Sequence, residues 1–196
     1  MKKISLLLGI ALISLAVVSC GSSKETAQQK PVPQNQPKNM PCPDCVATPG
    51  GTFKYLGQTV AESEYDVQNA RIFAAQSARD ELQAMIESVV ERAVKSFSQQ
   101  HRENSESTAI EKRTIQALDV IKAKVKNTPV TCWDAAPSKL TPGKISVYVC
   151  VEMDANSVYN EVVETFAADK EIKIDFKEHQ FKEEFDKAME DYEGIR

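Results

Sequence analysis

The alternation of apolar and polar positions divides this chain into a short apolar leader, a polar segment and a long periodic domain. Ile4 to Val18 is apolar except for Ser5, Gly9 and Ser14. A membrane-spanning helix needs about 20 such residues, so the run is too short to span. With Met1-Lys2-Lys3 in front of it, the run has the length and flanks of an export signal, predicted over residues 1–19. From Gly21 to Gly51 no apolar period exists, and Pro31, Pro33, Pro37, Pro41, Pro43 and Pro49 punctuate a Gln- and Asn-rich stretch. Such a segment buries too little apolar surface to offset its ordering entropy, which predicts a disordered tether over residues 20–52.

Periodicity then begins. Phe53-Lys54-Tyr55-Leu56-Gly57-Gln58-Thr59-Val60 is rich in strand formers, and Gly57 inside it suggests a bulge. Ser63 and Asp66 are spaced like a capping box at a helix start. From Val67 to Gln99 there is neither Gly nor Pro. Ala70, Ala74, Ala78, Leu82, Met85, Val89, Ala93 and Phe97 recur in steps of three and four, the stripe of one long helix. Its alanine-rich start allows close approach to the backbone, and its later part demands a bulkier fit. A second helix is predicted over residues 108–125, with Ile110, Ile115, Leu118, Ile121 and Val125 facing in, and Asn127-Thr128-Pro129 ends it.

Val130-Thr131-Cys132-Trp133 reads as a strand and Asp134–Gly143 as a turn-rich loop. Ile145–Met153 is the clearest strand, apolar at every odd position. The two strands form a predicted antiparallel hairpin. Asp154 or Asn156 can cap a helix over residues 157–168, with Val158, Val162, Val163 and Phe166 facing in. The remainder, 169–196, is a charged amphipathic extension with a final helix from about Lys177, and its docking is left open. The predicted fold class is α/β (α+β): a small antiparallel sheet with a C-terminal hairpin, packed against a long and a second helix over residues 53–168.

Charge changes the picture modestly. The formal net charge is −4, and loss of Lys2 and Lys3 with the leader makes it −6. An acidic, mixed-charge surface argues against nucleic acid, whose binders carry basic footprints. The leader's end matters more. Val17-Val18-Ser19-Cys20-Gly21 resembles a bacterial lipobox, in which Cys20 receives a thioether-linked diacylglycerol and, after cleavage, an acyl chain such as palmitate on its amine. Each buried CH₂ contributes roughly 0.8 kcal/mol, and stable anchoring takes two or more chains. The residue after Cys20 is not the aspartate that marks inner-membrane retention in enteric lipoproteins, which favours the outer membrane. The expected partner is therefore a lipid bilayer, with an unidentified envelope protein or glycan as the ligand.

The element order and the run Gln68-Asn69-Ala70-Arg71-Ile72-Phe73-Ala74-Ala75-Gln76-Ser77-Ala78-Arg79-Asp80-Glu81-Leu82 resemble the Lpp-twenty family of small envelope lipoproteins. The related N-terminal domain of a flagellar assembly factor is also similar. Spaced alanines leading into Ala78, Arg79 and Leu82 carry the likeness. Trp133 before a turn and the strand Val147-Tyr148-Val149-Cys150-Val151 add to it, over about residues 53–165. The resemblance implies a compact domain with helices on one sheet. It implies no catalytic residues. Four further cysteines and the C-terminal extension depart from the family pattern.

Those four are Cys42, Cys45, Cys132 and Cys150. In an oxidising compartment an even set of thiols reads as disulfides. Cys132 and Cys150 could bridge their strands if the register allows. Cys42 and Cys45 could bond each other or reach the hairpin. Cys42-Pro43-Asp44-Cys45 also has the spacing of a redox pair, but no helix follows it and Asp44 sets a negative charge between the thiols. A four-thiolate zinc site is disfavoured because Cys132 and Cys150 are 18 residues apart. His101 and His179 read as solvated surface residues, Trp133 as a hairpin or core anchor, and the paired acids Glu183-Glu184 and Glu190-Asp191 as a solvated face. No catalytic, metal or cofactor motif is present. Three functions stay open: a non-enzymatic binding module, a thiol–disulfide protein using Cys42 and Cys45, and a structural envelope spacer.

Overall fold

A computed structural model describes residues 41–45, 51–100, 106–169 and 177–194. The leader, Cys20, most of the tether, His101 and the apolar residues Ile172, Ile174 and Phe176 lie outside the described residues. The elements are β1 (Thr52–Ala61), a 3-10 turn (Glu64–Asp66), α1 (Val67–Gln100), α2 (Glu106–Lys126), β2 (Val130–Pro137), β3 (Ile145–Asp154), α3 (Ala155–Ala167) and α4 (Glu178–Gly194). The three strands form an antiparallel sheet in the order β1-β3-β2, so the clearest predicted strand is the central one. The architecture is the expected α+β arrangement, with the long helix laid on the sheet.

Alternation fixes which face is which. Phe53, Tyr55, Gly57, Thr59 and Ala61 of β1 pair with Met153, Val151, Val149, Val147 and Ile145 of β3. Val147, Val149 and Val151 are fully buried against α1, through Ala70, Ala74, Ala75 and Ala78. The β1–β3 register runs unbroken, so Gly57 is not at a bulge. Its role is close approach. A Cβ on Gly57 would stand 2.3 Å from the Ala74 carbonyl oxygen and 2.8 Å from the Ala78 Cβ. The first alanines of the stripe and Gly57 thus form one seam, where a helix rests on a strand with almost no side chain between.

Further along α1, Leu82, Ile86, Val89 and Val90 enter a helical core shared with α2, α3 and α4. The stripe on α2 is Ile110, Thr114, Ala117, Ile121 and Val125, all buried. Ile115, expected inside, is 57% exposed. Thr114 takes the inward position because its hydroxyl donates to the Ile110 carbonyl at 2.8 Å, which satisfies it within its own helix. Asp154 caps α3, accepting from the Ser157 N–H at 2.7 Å. Ser63 donates its hydroxyl to Asp66 at 2.7 Å, so the expected capping box is a side-chain pair across the 3-10 turn and does not cap a backbone N–H of α1.

The C-terminal helix docks on the domain. Phe181, Phe185, Ala188 and Met189 are buried, and Phe181 meets Phe97, Tyr159 and Phe166 at ring-centroid distances of 5.7, 5.9 and 5.7 Å. Strand β2 also runs further than expected. Its pairing continues through Asp134, Ala135, Ala136 and Pro137, which reduces the hairpin loop to Ser138–Lys144. Alanine and aspartate are poor strand formers in isolation, but pairing with a central strand overrides that preference. Thr141-Pro142-Gly143-Lys144 closes the loop as a turn, with a 3.2 Å bond from the Lys144 N–H to the Thr141 carbonyl and Gly143 at φ +85°. Positive φ at the third position after a proline is the type II pattern that selects glycine.

Candidate functional site

The chemically distinctive site is built on the sheet face turned away from α1. β2 carries one irregularity: Val130 pairs with Val151, Cys132 pairs with Cys150, and Thr131 between them is extra. Without it, Thr131 would oppose Cys150 and Cys132 would turn to the helix face, because side chains alternate with period two. The bulge keeps Val130 packed in the core and still delivers Cys132 beside Cys150 on the outer face. No sequence signal marks Thr131 as the bulged residue.

Over this pair lies the segment Pro41–Cys45. Cys42 is bonded to Cys132 and Cys45 to Cys150, each with Cα atoms 5.8 Å apart. The two strand cysteines, expected as a possible bridge to each other, each reach across to the Cys-x-x-Cys instead. The four residues from Cys42 to Cys45 form a turn closed by a 2.9 Å bond from the Cys45 N–H to the Cys42 carbonyl. Cys42 has φ +48°, a left-handed conformation uncommon for a non-glycine residue, and the cross-link holds it there. Lys54, on the neighbouring strand, donates to the Asp44 carbonyl at 3.1 Å and pairs with Glu152 at 3.2 Å. Cys42, Cys45 and Cys150 are buried with half-buried Leu56 packed against them, and Cys132 at the sheet edge is also half-buried. The result is a clasp in which two disulfides and one lysine fasten a turn onto the sheet.

The other residues singled out by sequence are dispersed. Trp133 is 40% exposed on the helix side of β2, with the Arg71 guanidinium 4.7 Å above its ring, so it is an edge residue and not a core anchor. Arg79 donates twice to the Thr128 carbonyl, at 2.9 and 3.1 Å, and fastens the end of α2 to α1. His179 is exposed and lies 3.3 Å from Glu183 one helical turn away. Glu184 accepts from the Ser96 hydroxyl, so one of the paired acids helps dock α4. Among the described residues no group of three His, Cys, Asp or Glu side chains is arranged to hold a metal ion. None of their helices is long and apolar enough to cross a membrane.

Two further surface features follow from the packing. A groove of about 520 Å³ opens between α1 and α2, lined by Val94, Lys95, Ile110, Thr114, Ile115 and Leu118. Ile72 and Phe73 near the start of α1 and Leu140 in the hairpin loop stand exposed, Leu140 at 87%. No known protein family matches this chain, and neither does any curated protein or solved structure.

Proposed function

We propose that this chain is a lipid-anchored lipoprotein of the bacterial envelope, on the outer membrane, whose folded domain is a non-enzymatic binding module. The supporting observation is the double disulfide between the Cys42–Cys45 turn and the hairpin. Disulfides persist in oxidising, extracytoplasmic compartments, which agrees with an export leader and with acylation at Cys20. The clasp also has a mechanical consequence. Chain arriving from Cys20 meets the sheet at two covalent links, so pulling on the anchor loads the edge strand β2 first, through Cys42–Cys132, and then the central strand through Cys45–Cys150.

The ligand in this reading is an envelope protein or glycan. The surfaces offered to it are the hairpin loop with Leu140 and the edge carrying Trp133 and Arg71. An indole with a guanidinium above it presents an apolar face and a polar rim, a combination suited to either ligand class. The test is a titration of full-length protein in detergent against isolated peptidoglycan and against purified envelope proteins. Saturable binding weakened by Leu140→Ser or Trp133→Ala supports the reading. Absence of saturable binding to every component overturns it.

A second reading, a thiol–disulfide protein acting through Cys42 and Cys45, is favoured by the convergence of four sulfurs in one cluster. It requires those two residues to bond each other in one oxidised state. Replacing either with serine then abolishes exchange with a partner thiol, and unchanged exchange removes the reading.

A further inference from the structure

The same four sulfurs can be joined in a second way. Cys132 and Cys150 are direct register partners on antiparallel strands. Such partners have Cα atoms about 4.5–5.5 Å apart, within the roughly 4.4–6.8 Å that a disulfide spans. Cys42 and Cys45 are the two ends of a hydrogen-bonded four-residue turn. The ends of such a turn lie within about 7 Å, which overlaps the same range. Both the observed pairing and the alternative pairing of Cys42 with Cys45 and Cys132 with Cys150 therefore fit one arrangement of backbone.

We propose that the cluster is a disulfide-exchange site, at which a small thiol of the glutathione class converts one pairing into the other and releases the turn from the sheet. Access decides where exchange begins. Cys42, Cys45 and Cys150 are buried, and Cys132, half-buried at the sheet edge, is the most accessible of the four. The incoming thiolate attacks Sγ of Cys132, forms a mixed disulfide there and expels the Cys42 thiolate. Cys42 attacks Sγ of Cys45 and expels the Cys150 thiolate. Cys150 then attacks Sγ of Cys132 and returns the small thiolate to solution. In net, the Cys42–Cys132 and Cys45–Cys150 bonds are replaced by Cys42–Cys45 and Cys132–Cys150, so the protein is neither oxidised nor reduced, and the small thiol is regenerated.

The swap has a structural outcome. With Cys42 and Cys45 bonded to each other, the turn keeps its apolar packing on Leu56 and the Lys54 contact to the Asp44 carbonyl but has lost both covalent ties to the sheet. Its departure uncovers Leu56 and the Cys132–Cys150 bridge on the outer face of the sheet. This inference concerns the sulfur chemistry alone and rests on neither reading of function given above.

The test is a peptide map of full-length protein held in glutathione redox buffer under native conditions, quenched with acid and cut before aspartate. Cleavage at Asp44 separates Cys42 from Cys45, and cleavage at Asp134 separates Cys132 from Cys150, so every pairing gives its own linked peptides. The expected result is growth of the alternative pairing from undetectable to a plateau, only with glutathione present and at a rate independent of protein concentration. Finding solely the original pairing and reduced chains overturns the proposal. So does an equal share of the third pairing, Cys42–Cys150 with Cys45–Cys132, which signals scrambling through unfolded chains. A second variant, Cys42→Ser with Cys45→Ser, is expected to close Cys132–Cys150 on oxidation. If it folds and both thiols stay open to alkylation, the proposal fails. If it does not fold, the wild-type map decides alone.

Discussion

Replacing Gly57 with alanine adds one methyl group to a place with no room for it. The new Cβ stands 2.3 Å from the Ala74 carbonyl oxygen, 2.8 Å from the Ala78 Cβ and 3.0 Å from the Ala78 nitrogen. Two of these three atoms are backbone, so no side chain can swing aside. The helix must lift from the sheet by about 1 Å to reach ordinary contact distance, since heavy atoms attract best at roughly 3.5–4.0 Å. That lift loosens the packing of Val149 and Val147 beside it. Overpacking of this kind costs about 1–3 kcal/mol and sometimes more. Against it stands the lower entropy of the unfolded chain, worth about 0.4–1 kcal/mol for a Gly-to-Ala change. The net expectation is a loss of about 0–2.6 kcal/mol, toward the upper end because backbone is what must move. In a chain of this size that lowers the melting temperature by about 2–4 °C per kcal/mol. The assay is denaturant unfolding with the disulfides intact, followed by far-ultraviolet dichroism and by the fluorescence of Trp133, the single tryptophan. Gly51→Ala is the control, because a Cβ there meets nothing within 4 Å. If Gly57→Ala is as stable as Gly51→Ala, the seam between β1 and α1 is not as described and the reasoning is refuted.

Other outcomes follow from single features. Phe181→Ala empties the centre of the aromatic cluster and is expected to cost about 3–5 kcal/mol in denaturant unfolding, as large-to-small core changes do; a loss typical of a surface site shows that α4 is not docked. Gly143→Ala places a Cβ in open space but at φ +85°, so only the backbone penalty of about 1–2 kcal/mol is expected in thermal melts. Burial first, then the nearby carboxylates of Glu178 and Asp186, push the Tyr159 hydroxyl from its ordinary 10.0 up to about 12. The folded chain therefore holds that proton where the unfolded chain has lost it, and stability complete below pH 10 drains as pH rises toward 12. In alkaline unfolding curves Tyr159→Phe is expected to lose less stability over that interval than the wild type; identical curves contradict the assignment.

Much of the fold was legible because its elements repeat with strong periods. The long helix stands where the alanine stripe placed it, and the apolar odd positions of β3 are the buried face of the central strand. The close approach implied by Ala70, Ala74 and Ala78 is real, but in the sequence its partner, Gly57, looks the same as a bulge. A lone glycine in a strand signals either, and only the tertiary partner distinguishes them. The true bulge, at Thr131, was invisible because an extra residue in one strand is defined by its neighbour across the sheet. That hidden residue also decided the cysteines, since it turns Cys132 to the outer face. Which sulfur bonds which then depends on where the Cys42–Cys45 turn comes to rest, a long-range contact that spacing alone does not encode. Thr114 is hidden in the same way: a hydroxyl satisfied by its own helix passes as apolar, while apolarity alone points to Ile115.

The lipid anchor is the premise on which the proposed function stands, and one measurement addresses it directly: the mass of the N-terminal peptide of protein purified from bacterial membranes. The expected result is a peptide beginning at Cys20, carrying a thioether diacylglycerol and an N-acyl chain, with no residue before it. A peptide that retains Met1, or one that begins near Gly21 with no lipid, contradicts it.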